Sequence, residues 1–316
     1  MEEKLLELEE VTKVFRTGLF GGRTVTAVDR VSFDVRRGEI LGLLGESGSG
    51  KSTIAKMILK IYEPTSGRIL FKGRDIATLN GRNLKEYYRR VQGVFQDPFS
   101  SFNPRRLIRD AFLDTYRNFG LGSLENFEAT IVKAVEMVGL NYDEVAYKYP
   151  YEFSGGQLQR LSIARALLVQ PELIVADEPV SMVDASNRID IMNIFIDLKE
   201  KGISVLLIGH DLALTHYAAD RVIVLYKGQI VEEGPASILN KPSHPYTQML
   251  YESVPKIESK WSSRLQFAPE KGLPQVSSKG CIFADRCPYR FDKCTQQEPP
   301  MFTKGESKVK CWLARS

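Results

Sequence analysis

The first 280 residues of the chain contain no cysteine, and all four cysteines lie between Cys281 and Cys311. This distribution indicates one small site near the carboxyl end of the sequence and not thiols scattered through a core. Long apolar runs are lacking as well, because the longest, such as 203–208, fall far short of the roughly 20 residues that span a bilayer. We therefore expect a chain that does not cross a membrane by itself.

Positive charge is scarce at the beginning of the sequence, where Glu2 and Glu3 stand in place of the basic residues that open a secretory signal. No apolar stretch of signal-peptide length follows, so we expect a cytosolic chain. Over the whole length the excess of basic charge is small, with 43 basic and 39 acidic residues in 316. A net charge of +4 is too weak for an extended polyphosphate groove, and nucleic acid is not an expected partner.

Apolar runs of strand length alternate with helical patterns through most of the sequence, which is typical of a parallel sheet covered by helices. By contrast, 5–15 and 25–35 alternate like antiparallel strands joined by a loop with Gly18, Gly21 and Gly22, so a small β-subdomain precedes the main sheet. The sequence thus predicts an α/β fold. The strands predicted for the main sheet include 39–44, 173–177, 204–209 and 221–225.

Two segments depart from this alternation. Between about 104 and 149 the strand signal disappears and Ala134, Val135 and Val138 follow a helical period, which predicts an inserted helical subdomain. After Tyr251 the periodicity fades into a polar linker, and we interpret the cysteine-bearing segment beyond it as an accessory module. The linker residues that indicate this break are Pro255, Pro274, Ser277 and Ser278.

A phosphate-binding motif follows the first strand of the main sheet. Residues 45–52 fit G-x-x-x-x-G-K-[ST], between a predicted strand and a helical pattern over 52–61, which is the context that this motif requires. Its glycines let successive backbone N–H groups point at phosphate oxygens, and the helix N-terminus adds a favourable dipole. Lys51 would reach the β- and γ-phosphates and Ser52 would ligate Mg²⁺. The alternative is a glycine-rich turn that contains a lysine by accident.

The apolar strand 173–177 ends in two acids, Asp177 and Glu178. A buried strand tolerates such residues where their carboxylates emerge toward a cation or water. We expect Asp177 to be the carboxylate on the magnesium side and Glu178 to orient or deprotonate the attacking water. The alternative interpretation is a strand end that caps the next turn.

His210 directly follows the strand 204–209, on the sheet edge where the phosphate loop and Asp177 are also expected to emerge. From there it could contact the γ-phosphate. The alternative is a histidine packed at the strand end, with Asp211 as the N-cap of the next helix.

A second turn suited to anions is Phe153-Ser154-Gly155-Gly156-Gln157, which precedes a helical run over 158–169. Ser154 stands at an N-cap position, and the glycines expose backbone N–H groups. Such a turn alone is usually only a helix start. Two anion-binding turns on a chain with one nucleotide motif, however, indicate that two chains share nucleotides across an interface.

The order of these motifs resembles that of an ATP-binding-cassette (ABC) ATPase subunit over about residues 3–250. The resemblance implies a P-loop NTPase fold with a mixed, largely parallel sheet, a nucleotide-binding domain over 1–250 with its helical subdomain at about 97–160, and a Cys-rich extension over 251–316. The motifs are the phosphate loop, Gln96 in Val94-Phe95-Gln96-Asp97-Pro98, the 153–157 turn, the acidic strand, Ser181-Met182-Val183-Asp184, and His210.

The same resemblance implies that two such subunits pair head to tail, each holding ATP and Mg²⁺ between its own phosphate loop and its partner's Ser-Gly-Gly-Gln turn. It assigns catalysis to Lys51, Glu178 and His210, and Mg²⁺ to Ser52, Gln96 and Asp177. The residues implied to bind ATP within one subunit are Phe15, which stacks on adenine, and Gly45, Glu46, Ser47, Gly48, Ser49, Gly50, Lys51, Ser52 and Thr53. Those implied to face the partner's ATP are Ser154, Gly155, Gly156, Gln157 and Asp184.

Two segments, 95–105 and His244-Pro245-Tyr246-Thr247, are similar to those of dipeptide and oligopeptide importer ATPases, and the insertion at 18–23 resembles the second, or F-type, ATPase subunit. This branch implies a peripheral subunit on the cytoplasmic face of the cell membrane that powers peptide uptake. Its implied partners are a paralogous ATPase subunit in a heterodimer, two membrane permeases and an extracytoplasmic solute-binding protein. A homodimer is the alternative pairing.

Other functions stay open at this point. Related importers carry oligosaccharides, metals or glutathione, and no residue of this chain contacts the cargo. A soluble ABC protein acting on nucleic acid or ribosomes would normally need two cassettes or a coiled-coil insertion, and neither is seen in the sequence. A small-molecule kinase would leave the 153–157 turn and the Gln96 segment unexplained.

The cysteine tail reads Cys281-x5-Cys287-x6-Cys294-x16-Cys311. Four thiolates in one short segment suit a tetrahedral zinc ion or an iron–sulfur cluster, and a cytosolic chain disfavours two disulfides. Zinc sites usually show C-x₂₋₄-C pairs, which this tail lacks. The family resemblance implies a [4Fe–4S] cluster, with Zn²⁺ and reduced structural thiols as the alternatives.

Overall fold

The computed structural model describes residues 3–17, 23–253 and 279–315. Within these ranges no helix combines the length and the apolar character needed to cross a bilayer. Several residues named above lie outside the described residues: Gly18, Gly21 and Gly22 of the predicted loop, and Pro255, Pro274, Ser277 and Ser278 of the predicted linker.

The described residues form strands and helices in the predicted alternation. In chain order the strands are β1 (Lys4–Thr17), β2 (Arg23–Arg36), β3 (Ile40–Leu44), β4 (Ser66–Phe71), β5 (Arg74–Asp75), β6 (Val91–Val94), β7 (Leu173–Asp177), β8 (Ser204–Gly209), β9 (Arg221–Tyr226), β10 (Gln229–Pro235), β11 (Phe302–Lys304) and β12 (Ser307–Val309). The α-helices are α1 (Lys51–Ile58), α2 (Gly81–Arg90), α3 (Ile108–Phe119), α4 (Phe127–Glu136), α5 (Tyr142–Val145), α6 (Gly155–Leu167), α7 (Ala185–Glu200), α8 (Leu212–Ala218), α9 (Pro245–Ser253) and α10 (Asp292–Gln296).

Two sheets organise the molecule. A four-stranded antiparallel sheet has the order β2-β1-β4-β5, and an eight-stranded sheet has the order β11-β12-β10-β9-β3-β8-β7-β6. The larger sheet is parallel from β9 to β6 and antiparallel from β9 to β11. The predicted α/β class and the antiparallel pairing of the first two strands are therefore confirmed.

The central strands are apolar on both faces because both faces are covered. On one face Leu41 and Leu43 of β3 pack in a cluster with Ile54 of α1. On the other face Ile174 of β7 joins a second cluster with Leu161 of α6. Burial on both sides explains why these strands are continuous hydrophobic runs and not alternating ones.

The segment between β6 and β7 is helical, as the loss of the strand signal predicts. Its core contains Tyr116 of α3 and Phe127 of α4, whose ring centroids lie 5.2 Å apart, edge to face. Val135 and Val138 are fully buried in the same cluster. The period of 3.6 residues therefore marks a real apolar face in this segment.

The cysteine-bearing tail joins the main sheet. β12 pairs with β10 through Glu232 and Val309, and Phe283 packs 5.2 Å from the ring centroid of Tyr226 in β9. The segment that the sequence sets apart as an accessory module thus shares a sheet and a core with the strands that precede it. Strands of three residues are too short to reveal this by periodicity.

Candidate functional site

The phosphate loop connects β3 to α1 and depends on glycine. Gly48 and Gly50 have φ of 79° and 106°, in the left-handed region that favours glycine. A Cβ at Gly50 would lie 2.3 Å from the carbonyl oxygen of Ala27. The loop is therefore wrapped tightly against β2, with glycines at the positions where the backbone must turn so that N–H groups can point at an anion.

Lys51 lies buried inside this loop. Its Nζ donates hydrogen bonds to the carbonyl oxygens of Gly45 at 2.7 Å and Glu46 at 2.9 Å. Burial lowers the pKa of Lys51, and the carboxylates of Glu178, Asp177 and Glu46 oppose that shift. An ammonium held by weak carbonyl acceptors can exchange them for phosphate oxygens, which bind it more strongly because they are charged.

Ser52 and Asp177 meet across the site although they are 125 positions apart in sequence. Ser52 Oγ donates to Asp177 Oδ1 at 3.1 Å. Burial raises the pKa of Asp177, while the hydrogen bond from Ser52 lowers it. A hydroxyl and a carboxylate oxygen at this separation are the ligand types that Mg²⁺ prefers, so these two predicted ligands fit the ion.

Glu178 follows the strand in a strained conformation, with φ of 49°. Such strain in a residue other than glycine persists where its surroundings fix it, and here the Glu178 N–H donates to the carbonyl oxygen of Ile208 at 2.9 Å. Ser181 Oγ donates to Glu178 Oε2 at 2.8 Å. His210 Nδ1 lies 3.5 Å from Glu178 Oε1. The carboxylate is therefore oriented from two sides.

His210 is not a packing residue, since 62% of its side chain is exposed. The N-cap part of the alternative interpretation is correct, because Asp211 Oδ1 accepts a hydrogen bond from the Leu214 N–H at 3.0 Å. His210 is brought to Glu178 by strand register, in which Asp177 pairs with Ile208. The phosphate loop, the acids and the histidine share the carboxyl edge of β3, β8 and β7, where parallel sheets bind ligands.

Phe15 lies on β1 and is half-buried. Its ring stands edge to face with Tyr62 at a centroid distance of 5.5 Å, and Lys13 Nζ lies 5.3 Å from its centroid. These contacts fix an aromatic surface on the antiparallel sheet.

Gln96 is exposed and lies two residues after the end of β6. The chain around it is tied to α6, because Gln159 Nε2 donates to the carbonyl oxygen of Phe95 at 3.3 Å. Arg165, also on α6, donates to the carbonyl oxygen of Ser101 and lies 4.7 Å from the ring centroid of Phe102. Gln159 and Arg165 belong to none of the motifs recognised in the sequence.

The Ser154 turn begins α6 with a capping box. Ser154 Oγ accepts from the Gln157 N–H at 3.3 Å, and Gln157 Oε1 accepts from the Ser154 N–H at 3.1 Å. A Cβ at Gly155 would lie 2.5 Å from the carbonyl oxygen of Met182. This close approach sets the turn against the segment that leads into Asp184, so the residues predicted to face a partner do lie together.

Ser154 and Asp184 are both exposed. Among the residues that the structure describes, no hydrogen bond or ion pair joins the 154–157 turn to the phosphate loop. The described residues therefore keep the 154–157 turn and the phosphate loop as two separate features of the chain, as the prediction of a site shared between two chains requires.

The four cysteines are unpaired thiols, of which Cys294 and Cys311 are buried. Burial, together with the charges of the other thiols, raises the pKa of Cys281 to about 11. Over the described ranges, however, no group of three His, Cys, Asp or Glu side chains is arranged to hold a metal ion. The geometry therefore does not support the expected metal site.

The carboxyl-terminal part of the chain also makes contacts with the phosphate loop that are not predicted from the sequence. Arg286 makes a bidentate ion pair with Glu46, and Tyr246 Oη accepts a hydrogen bond from the Glu46 N–H at 2.8 Å. No short-range sequence pattern predicts these contacts, because the partners are 240 and 200 positions apart.

Comparison with known families gives two matches along the chain. The model described as "ABC transporter" matches residues 28–181, and the model described as "Oligopeptide/dipeptide transporter, C-terminal region" matches residues 231–294. The chain is 42% identical to the oligopeptide transport ATP-binding protein AppF of Bacillus subtilis (strain 168), over 94% of this chain and 93% of that protein.

Solved structures agree in fold. The ATP-binding cassette MJ0796, in a dimeric post-hydrolysis state bound to ADP and Pi, superposes with a TM-score of 0.66 and 28% identity, over 73% of this chain and 99% of that chain. The ADP conformation of the cassette MJ1267 gives a TM-score of 0.65 and 27% identity, over 79% and 99%. The P-loop fold expected from the motif order is confirmed.

Proposed function

The chain belongs to the ABC transporter ATP-binding proteins and is an ATPase, and we propose that it powers the uptake of di- and oligopeptides through a membrane permease complex. The observation that carries the peptide assignment is the match of residues 231–294 to the carboxyl-terminal region of oligopeptide and dipeptide transporters. The described part of this region packs on the main sheet, since β10 is one of its strands and Phe283 contacts Tyr226 of β9.

The residues described above perform hydrolysis as follows. The loop N–H groups and Lys51 bind the phosphates of ATP, and the ring of Phe15 stacks on adenine. Ser52, Asp177 and Gln96 would hold Mg²⁺, which would neutralise charge on the phosphates. Glu178 takes the proton of the attacking water, while Ser181 fixes its carboxylate. His210, exposed beside Glu178, contacts the γ-phosphate.

The exposed turn at Ser154 completes the site of a second subunit. Its N–H groups and Asp184 face the ATP held by the partner's phosphate loop, in a head-to-tail pair. Two large apolar side chains near this surface, Met182 and Ile189, are 51% and 50% exposed, which suits a surface that a partner covers. The partner proposed is a paralogous ATPase subunit, with a second copy of this chain as the alternative.

The other partners are two membrane permeases and an extracytoplasmic solute-binding protein. In this proposal the chain is peripheral on the cytoplasmic face of the membrane. The exposed Gln96 segment, held by α6, connects the nucleotide site to the permeases.

The tail cysteines are proposed to hold a [4Fe–4S] cluster, with Zn²⁺ as the alternative. Four thiols in one short segment are the donor type of such a cluster, although the described side chains are not arranged around a metal ion. The cluster would supply a structural clip or a redox-sensitive group.

An absorption spectrum tests the cluster independently of activity. Protein purified without oxygen should show broad visible absorbance and about four iron and four sulfide per chain. Stoichiometric zinc without colour would overturn the cluster in favour of a zinc clip.

Fractionation tests the transport assignment. The chain should sediment with membranes only when the permeases are coexpressed. A chain that follows ribosomes or DNA instead would favour a soluble ABC protein and contradict the proposal.

A further inference from the structure

Glu46 places an acidic side chain in the loop that binds phosphate. It is the one acid in residues 45–52. The carbonyl oxygen of Glu46 accepts a hydrogen bond from Lys51 Nζ at 2.9 Å, so the charge of Glu46 reaches the ammonium of Lys51. A charge that reaches Lys51 also reaches the phosphates that Lys51 holds, and with them its interaction is repulsive. An unpaired carboxylate at Glu46 would therefore weaken nucleotide binding.

Arg286 of the tail pairs with this carboxylate. Its two terminal nitrogens lie 2.8 Å from Glu46 Oε2 and 3.0 Å from Glu46 Oε1, the two-pronged geometry in which guanidinium binds carboxylate best. Only 13% of the Arg286 side chain is exposed, against 37% for Glu46. The pair is thus partly shielded from water, where screening is weaker than at a free surface.

Arg286 is itself held in place. The guanidinium carbon lies 5.9 Å from the ring centroids of both Tyr226 and Phe283, and the side chain donates to Met249 Sδ at 3.2 Å. The guanidinium group of Arg286 is therefore fixed in position, unlike a mobile charged group at the surface.

The backbone of Glu46 is fixed from the same side. Its N–H donates to Tyr246 Oη at 2.8 Å, and the Tyr246 ring lies 4.5 Å from Tyr226 and 5.5 Å from Phe283. Both the N–H and the side chain of Glu46 are thus held by residues beyond position 240. The second residue of the phosphate loop is clamped by the carboxyl-terminal part of the chain.

We propose that Arg286 is a positioning residue for nucleotide binding, which acts through Glu46 by fixing the phosphate loop and cancelling its single acidic charge. The tail thereby sets the affinity of the loop for the triphosphate. The inference rests on the proposed ATPase function and assigns the tail a role at the nucleotide site.

The test compares Arg286→Ala with the double variant Glu46→Ala/Arg286→Ala, both in the full chain. Both variants lose the ion pair and any tail anchoring that it provides, but only the single variant leaves an uncompensated carboxylate. Arg290→Ala, which removes an exposed arginine from the same segment, is the matched control. The dissociation constant is measured with a fluorescent ATP analogue and Mg²⁺, and KM and kcat are measured separately.

Arg286→Ala should raise the dissociation constant and KM by about tenfold with a much smaller change in kcat, as expected when one like charge is exposed near the ligand. Adding Glu46→Ala should recover most of this affinity, and Arg286→Lys should be intermediate because it keeps the charge and loses the fork. The penalty of Arg286→Ala should shrink at high salt. Arg290→Ala should bind as the wild type does.

Two results would overturn the inference. Equal affinity of Arg286→Ala and wild type would show that the pair does not affect the loop. A double variant no better than Arg286→Ala would show that the arginine only anchors the tail. A wild-type chain that neither binds nor hydrolyses ATP would instead refute the proposed function, so the two failures are distinguishable. Thermal melting of each variant confirms that the compared proteins are folded.

Discussion

The Glu178 carboxylate lies 3.5 Å from the imidazole Nδ1 of His210, at the end of neighbouring parallel strands. The contact places a proton acceptor and an exposed histidine side by side above the loop that holds Lys51. Neither residue is packed into the core, and the strained backbone of Glu178 is fixed by its bond to Ile208. This pair is where we expect water to be activated and the γ-phosphate to be contacted.

Glu178→Gln should abolish turnover and leave ATP binding intact, because it removes the base and keeps the shape. We expect kcat to fall by roughly two to four orders of magnitude, the range for loss of a general base. The bound ATP should then trap a dimer, seen as a doubled mass by light scattering. Unchanged hydrolysis would contradict the role given to Glu178, and Ser181→Ala should lower kcat less because it only orients the base.

Ser154→Asp should keep α6 folded and abolish hydrolysis by the dimer. Asp is as good an N-cap as Ser, so helix stability is maintained, while the added negative charge faces the partner's phosphates. Ser154→Asn, which caps equally well without charge, is the matched control. ATPase activity of the pair and the melting temperature are measured together. Full activity of Ser154→Asp would show that this turn does not face a nucleotide.

Glu232→Ala should destabilise the chain by about 2–4 kcal/mol. The fully buried carboxylate accepts hydrogen bonds from the N–H groups of Ser243 at 2.9 Å and His244 at 3.0 Å, and its loss leaves one half-buried and one buried donor unpaired. Glu232→Gln keeps one acceptor oxygen and should cost less. Urea unfolding measures the stability of both variants. If Glu232→Ala were as stable as the wild type, Glu232 would not anchor the His244-Pro245-Tyr246-Thr247 segment.

Stability should fall in mild acid because of His244. Complete burial lowers the pKa of His244 to about 3, against an ordinary value of 6.5. Below pH 6.5 the unfolded chain therefore binds a proton at this histidine, and the folded chain does not. The contribution of neutral His244 to the free energy of unfolding is complete above pH 6.5 and is lost as the pH falls toward 3. At pH 5.5 the loss is on the order of 1 kcal/mol.

His244→Asn should weaken that acid response, while His216→Asn, at an exposed histidine, should retain it. Urea unfolding at pH 7.5 and pH 5.5 compares the two. The same pH response in both variants would show that His244 does not cause it.

Much of the fold and site can be predicted from local sequence. The limits of β7 and β8 agree with their apolar runs, and the acids and His210 follow directly at the strand ends. Motifs of this kind can be recognised in the sequence because the end of the strand, the loop and the start of the helix are consecutive in the chain.

The remaining features depend on contacts between distant residues. Arg286 and Tyr246 reach Glu46 from 240 and 200 positions away, and no spacing rule links them. β11 and β12 have three residues each and become strands only because β10 offers them a pairing edge. Ser181 can orient the Glu178 carboxylate only because the turn after β7 brings the two residues into hydrogen-bonding contact. Tertiary pairing, and not local propensity, decides these positions.

The most direct test of the central proposal is peptide uptake in vesicles that contain the permeases, the solute-binding protein and both ATPase subunits. With ATP enclosed on the side of the ATPases, labelled peptide should accumulate and ATP hydrolysis should rise with peptide. Vesicles carrying Glu178→Gln in this chain should bind ATP and accumulate much less peptide. Peptide uptake that proceeds equally without this chain, or hydrolysis that never responds to peptide, would contradict the account.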